Sequence, residues 1–231
     1  MEFSVTPSGR TWILEQTGDG GYEVFGFKPN EDMPDEINLE LPEHLELTDF
    51  VVSENGVLLL GGYYDGSAGK ERGGKAYLAL FDKSGRLRRD LSSEGLVPVK
   101  LDQVRKQLHD GAATTGPDGN FYFVQGNEML VLSSNGDLLR RVPIHKPEEG
   151  LGISSVTATG DLISIELRKV DKDGTIQVQY LVLNAATGEP YSLYTPSEEL
   201  GNNCVCFSRS TGYTFLRVEK GKLKFLTAPL T

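Results

Sequence analysis

Cys204 and Cys206 are the only thiols in the 231-residue chain. Alternating with Val205 on a β-prone run, both point to one face of a strand. They suit two small buried hydrophobes, a strained Cys-x-Cys disulfide in an oxidising compartment, or part of a metal site. The metal reading is short of ligands, because no Cys-x-x-Cys and no neighbouring His completes a tetrahedron. A second set of polar residues stands just before apolar runs: Asp49 before Phe50, His109-Asp110 before Gly111, and Asn202-Asn203 before the last such run. Carboxylates and amides gathered at the mouth of a channel would hold a cation or a polar ligand. The competing role for each is turn and cap chemistry, which Asp and Asn supply at strand starts.

Two loops imitate known binding motifs and fail their tests. Gly61 to Gly74 is glycine-rich and contains Gly69-Lys70, but Tyr64 stands where a phosphate-binding loop needs Gly. Glu71 stands where that loop needs Ser or Thr for magnesium. The stretch reads instead as a mobile hairpin extension, with Tyr63 and Tyr64 as contact residues. Lys169 to Gly174 has the spacing of a calcium loop, but Lys169 occupies the first ligand position and no Glu closes it. His44 and His145 are isolated in loops. No Gly-x-Ser-x-Gly elbow and no His-Glu-x-x-His occurs.

The elements that would position these residues recur. Five segments share one plan, a short β-prone run, a turn ending in Gly, and a strongly apolar run; the turn glycines are Gly9, Gly56, Gly119, Gly160 and Gly212. Further apolar runs end in Gly85, Gly136 and Gly188, and lead into more polar strands over 86–91, 137–144 and 189–194. Asn-Gly, Asp-Gly and Ser-Gly supply the positive φ that tight hairpins need. Four antiparallel strands in about 40–50 residues make the blade of a β-propeller. The sequence therefore predicts an all-β propeller of about five four-stranded blades. Their expected bounds are 1–46, 47–96, 109–150, 151–198 and 201–231, in one domain over 1–231. One helical insert is expected over 101–108, where Leu101, Val104 and Leu108 share a face. The last blade lacks an outer strand in this reading. A preceding natural segment, a signal peptide plus a closing strand, is the expected source of it.

The phrasing of these repeats is similar to that of bacterial propellers with degenerate NHL-like or TolB-like repeats. The resemblance implies architecture only. The Gly-His and Trp-Asp signatures of WD repeats are missing, and Trp12 is the single tryptophan.

Bulk composition narrows the partners. With 33 acidic and 23 basic residues the net charge is −10, which opposes nucleic acid binding. Arg86, Arg88, Arg89, Arg140 and Arg141 recur at one blade position and read as charges guarding an exposed strand edge. No apolar run is long enough to span a bilayer. The chain opens on Met1-Glu2-Phe3-Ser4 without a basic start or apolar stretch, so extracytoplasmic residence is expected only where a signal peptide has been removed. The leading expectation is a non-enzymatic propeller that binds a protein or a small polar ligand on the face carrying the long links. The expected contact residues are Asp49, His109, Asp110, Asn202, Asn203, Tyr63 and Tyr64, with no cofactor. The alternatives are a metal-dependent propeller hydrolase or lactonase with a calcium ion at the axis, and a structural domain of a larger protein.

Overall fold

A computed structural model describes the chain apart from residues 1, 7, 19, 29–32, 72, 98–110, 171, 197–204, 210–211, 221 and 230–231. Its strands form antiparallel sheets that follow the chain in order. The first blade holds β1 (Glu2–Val5), β2 (Thr11–Gln16), β3 (Tyr22–Phe27) and β4 (Asp35–Asn38). The second holds β5 (Leu45–Val52), β6 (Leu58–Tyr64), β7 (Ala76–Phe81) and β8 (Leu87–Asp90). The third holds β9 (Gly111–Thr115), β10 (Phe121–Gln125), β11 (Glu128–Leu132) and β12 (Leu138–Pro143). The fourth holds β13 (Gly152–Thr159), β14 (Leu162–Val170), β15 (Ile176–Asn184) and β16 (Pro190–Tyr194). A last sheet has three strands, β17 (Val205–Arg209), β18 (Gly212–Glu219) and β19 (Lys222–Pro229).

The architecture is an all-β propeller, with two corrections to the expected plan. Four blades are four-stranded rather than about five, because the remaining sheet stops at three strands among the described residues. Those residues include no α-helix, only a 3-10 turn at Gly66–Ala68; the helix expected over 101–108 falls outside them. Gly212, expected to close a turn, instead opens β18.

The blades stack because their middle strands bury apolar side chains against neighbouring sheets, on both faces in the second blade. In the second blade Leu58, Leu60, Tyr77, Ala79 and Phe81 pack toward the first blade, with Trp12, Leu14 and Val24. The intervening Leu59, Leu78 and Leu80 pack the other way, against Phe121, Phe123, Leu130 and Leu132 of the third. The fourth blade divides likewise: Ile163, Ile165, Leu181 and Leu183 face the third blade, and Leu162, Tyr180 and Val182 face the last sheet. Each fully buried large apolar side chain contributes about 1.5–3 kcal/mol. A sheet with two apolar faces is stable only between neighbours. This accounts for the weak polar–apolar alternation of the sequence.

Blade spacing is set by the turn between the third and fourth strands. Gly136 (φ 84) and Gly188 (φ 73) adopt left-handed backbone there. Each also abuts the preceding blade: a methyl group at 136 would lie 2.5 Å from Leu80 Cδ1, and one at 188 would overlap Val142 Cγ1. The same turn carbonyls receive hydrogen bonds from the preceding blade. Glu40 N donates to Gly85 O at 3.1 Å. Arg89 Nη1 donates to Asn135 O at 3.3 Å and to Asp137 Oδ1 at 2.8 Å, and Arg140 Nη1 donates to Ala186 O at 3.1 Å. Thus Arg89 and Arg140, expected only to guard an edge, tie the second blade to the third and the third to the fourth.

Two alanine substitutions separate these roles. Gly119 has φ 77 but open space around a would-be Cβ, so Gly119→Ala should cost about 1–2 kcal/mol, the left-handed penalty alone. Gly188→Ala adds a core overlap and should cost about 2–5 kcal/mol. Urea unfolding of both variants measures the difference.

Candidate functional site

Antiparallel blades place two kinds of connection at one end: the links entering each first strand, and the hairpins between second and third strands. Hydrogen bonds show these connections meeting. Asp65 N, at the start of the second-blade hairpin, donates to His44 O in the incoming link at 2.8 Å. In the third blade Ile144 N donates to Asn127 O at 2.8 Å. The glycine turns Gly9, Gly56, Gly119 and Gly160 occupy the opposite end, where side chains serve the turns themselves. There Asp118 Oδ2 accepts from Tyr122 Oη at 2.8 Å and from Asn120 Nδ2 at 2.7 Å. Burial and that carboxylate push the Tyr122 phenol up to about 12.

The most organised polar cluster on the link end surrounds His44. Its φ of 62 is a left-handed conformation that a residue bearing Cβ adopts at a cost of about 1–2 kcal/mol. Its carbonyl is held by Asp65 N, and its Nδ1 shares a 2.7 Å hydrogen bond with Ser67 Oγ. Ser67 Oγ lies 2.5 Å from Asp65 Oδ1, which also accepts from Ser67 N at 2.6 Å. These two hydrogen bonds hold the Asp65 carboxyl below its ordinary value, the Ser67 hydroxyl bond being the larger cause. The Asp65 carboxylate engages the serine rather than the imidazole. The arrangement is therefore a hydrogen-bonded turn presenting an imidazole, not the base-orienting triad of a hydrolase.

Beside it lies a tyrosine group. Tyr22 Oη accepts from Leu47 N at 3.3 Å and contacts Glu46 Oε2 at 3.5 Å. Burial is the main reason its phenol is raised. Tyr63 pairs across the ladder with Glu46. Tyr64 is half-buried and packs edge-on against Tyr77, with ring centroids 5.8 Å apart and planes at 83°. Tyr77 is 3% exposed, and among the described residues its hydroxyl meets no hydrogen-bond partner.

Asp49 lies half-buried on β5, against Gly61 of β6, and Thr48 Oγ1 donates to its Oδ2 at 3.1 Å. A bulge between Leu47 and Asp49 brings the Glu46 carbonyl against Gly62, where a methyl group would overlap it. Gly62 therefore serves this close approach of backbones, while Gly61 leaves room for the Asp49 side chain. The extension is a hairpin with internal hydrogen bonds, Tyr64 N to Lys75 O at 3.0 Å and Gly74 N to Tyr64 O at 2.6 Å. The structure thus brings Asp49, Tyr63 and Tyr64 into one blade. His109, Asp110, Asn202 and Asn203 lie outside the described residues, as does Cys204.

Two features of the link end were not anticipated. The link after the third blade bounds a cleft of about 630 Å³ lined by Asn127, His145, Lys146, Glu148 and Leu151. Lys146 Nζ donates to Leu151 O at 2.8 Å, and Lys169 Nζ pairs with Glu148 at 3.1 Å. On β14, Ser164 and Glu166 are buried on the face opposite Ile163 and Ile165, and Glu166 accepts from Arg168 Nε at 2.6 Å. Ser164 and Glu166 interrupt the apolar face that Leu162, Tyr180 and Val182 present to the last sheet. The alternation Ile163-Ser164-Ile165-Glu166-Leu167-Arg168 carries the signal in sequence, whereas His44 and Ser67 are joined only by the fold. Among the described residues no three His, Cys, Asp or Glu side chains gather as a metal site.

No protein-family model matches the chain, and no curated protein matches it. Solved propellers match it in fold at low identity. The Dos1 propeller shares 13% identity over 100% of this chain and 57% of its own, with a TM-score of 0.55. The WD40 domain of Neurospora crassa Pan2 shares 12% over 96% of this chain and 59% of its own, with a TM-score of 0.53. BamB from Moraxella catarrhalis shares 9% over 99% of this chain and 71% of its own, with a TM-score of 0.45. The chain therefore spans somewhat more than half of the first two.

Two measurements probe the cluster. Tyr77→Phe removes a buried hydroxyl that lacks a described partner, so its thermal midpoint should equal or exceed that of the parent protein. The depressed Asp65 carboxyl favours its turn above the unfolded value and loses that contribution only as pH falls through the lower folded value. The Ser67 amide resonance in NMR should accordingly titrate with a midpoint below 3.8; a midpoint at or above it contradicts the hydrogen-bonded turn.

Proposed function

We propose that this chain is a non-enzymatic binding propeller, which takes a protein or small polar ligand on its link end. The observation that carries this reading is His44, held in a left-handed conformation by Asp65 and Ser67. Backbone strain at an exposed polar residue is a common mark of a recognition site. Tyr63 and Tyr64 lie beside it, and the His145 cleft supplies a concavity on the same end. Tyrosine, imidazole and carboxylate together offer stacking surface with donors and acceptors, which suits peptide or polyhydroxyl groups. Asp49, His109, Asp110, Asn202 and Asn203 belong to this proposal as rim residues.

The test is a screen of peptide and glycan libraries read by NMR. A ligand of this propeller should shift resonances of His44, Tyr63, Ser67 and His145, with little change at Gly9, Gly56 and Gly119. His44→Ala should weaken that ligand roughly tenfold, about 1.4 kcal/mol, without moving the thermal midpoint by more than a few degrees. Chemical conversion of the bound ligand would contradict the non-enzymatic reading. Shifts confined to the glycine-turn end would contradict the location.

A further inference from the structure

The outer strands of the four complete blades are short and blunted. β4, β8, β12 and β16 run for only 4, 4, 6 and 5 residues. Such strands resist pairing with another chain. β19, the last strand of the three-stranded sheet, differs: it runs for 8 residues, Lys222–Pro229, with β18 on one side and no described strand on the other. Phe225 is 68% exposed, while Leu226 on the opposite face packs toward Tyr180 and Tyr213.

The hairpin register tells which backbone groups of β19 bond to β18 and which face away from it. Glu219 pairs with Lys222 across a two-residue loop, with Lys220 at φ 52. In such a hairpin the closing pair exchanges both hydrogen bonds, and the pattern then alternates. Lys222, Lys224 and Leu226 therefore bond to β18, and Leu223, Phe225 and Thr227 direct their N–H and C=O groups to the outer edge. Charge defines what fits there. Lys220, Lys222 and Lys224 are all exposed along this edge, on a chain whose net charge is −10. Lysines on an edge oppose pairing with a second copy of the same edge. They favour carboxylates directly across the ladder.

We propose that β19 is a strand-addition site for an extended segment of a partner polypeptide that alternates acidic and apolar residues. The segment pairs antiparallel with β19. It places Asp or Glu across from Lys222 and Lys224 and an aliphatic residue across from Phe225, and so builds the fourth strand that the other blades possess. Main-chain bonds supply the affinity and the alternation supplies the choice of partner. This edge is separate from the link-end cluster around His44, so either reading can fail without the other.

The probe is a fluorescein-labelled peptide, acetyl-Val-Thr-Ile-Glu-Val-Asp-Val-amide, with the lysine-substituted acetyl-Val-Thr-Ile-Lys-Val-Lys-Val-amide as control. Anisotropy should show saturable binding of the acidic peptide, at least tenfold tighter than the control, and hydrogen exchange should slow at the amides of Phe225 and Thr227. Lys222→Glu should weaken binding about fivefold. Thr227→Pro, which removes an edge-facing N–H and none that bonds to β18, should abolish the slowed exchange at Phe225. Circular dichroism of both variants confirms that the sheet persists. Equal binding of the two peptides, unchanged binding by folded Lys222→Glu and Thr227→Pro, or protection of β19 by self-association without peptide would each overturn the proposal.

Discussion

Everything in this fold depends on the need of each sheet to cover two apolar faces. In β7 the sequence Tyr77-Leu78-Ala79-Leu80-Phe81 sends alternate residues into two different cores, and none of the five is more than 3% exposed. No single blade can satisfy such a strand, and a pair of blades leaves two faces open. The stacking of successive blades follows from that geometry. The turn glycines then fix how closely successive blades approach, because Gly136 and Gly188 sit where any side chain would strike the preceding blade. Packing density and backbone conformation place the same demand on the same residue.

This arrangement separates stability from recognition along the strand direction. The glycine-turn end is occupied by side chains that satisfy their own backbones, as with Asp118 and its three hydrogen-bond donors, Asn120 N, Asn120 Nδ2 and Tyr122 Oη. The link end carries connections of varied length, and there the polar groups face outward or line clefts. His44, Ser67 and Asp65 are held by one another and by backbone, not by the core. Substitutions among them alter what the surface offers with little effect on the stack beneath.

Much of the framework was legible because glycine and apolar runs are local signals. The outer strands expected over 86–91, 137–144 and 189–194 lie within one residue of β8, β12 and β16 at each end. The count of about five four-stranded blades falls to four because the last unit, whose outer strand the sequence already lacks, forms a sheet of only three strands among the described residues. The purpose of Gly61-Gly62 was hidden for a different reason: the Asp49 side chain that crowds Gly61 and the Glu46 carbonyl that crowds Gly62 come from another strand. The His44–Ser67 pair is 23 residues apart and has no periodicity to betray it. Arg89 and Arg140 were placed correctly on their strands, but their acceptors in the next blade's turn are visible only once the blades are stacked.

Those arginines have an evolutionary consequence. The second blade offers an outer-strand donor to a turn carbonyl of the third, and the third offers the same kind of donor to the fourth. Every such joint uses parts of one pattern, a plug on the leading side of a unit and a socket on the trailing side of its successor. A gene segment encoding one unit could be duplicated or excised in frame, and the severed joints would find equivalent partners on the flanking units. Units can thus be gained or lost without the invention of a new interface, while the links between them diverge freely.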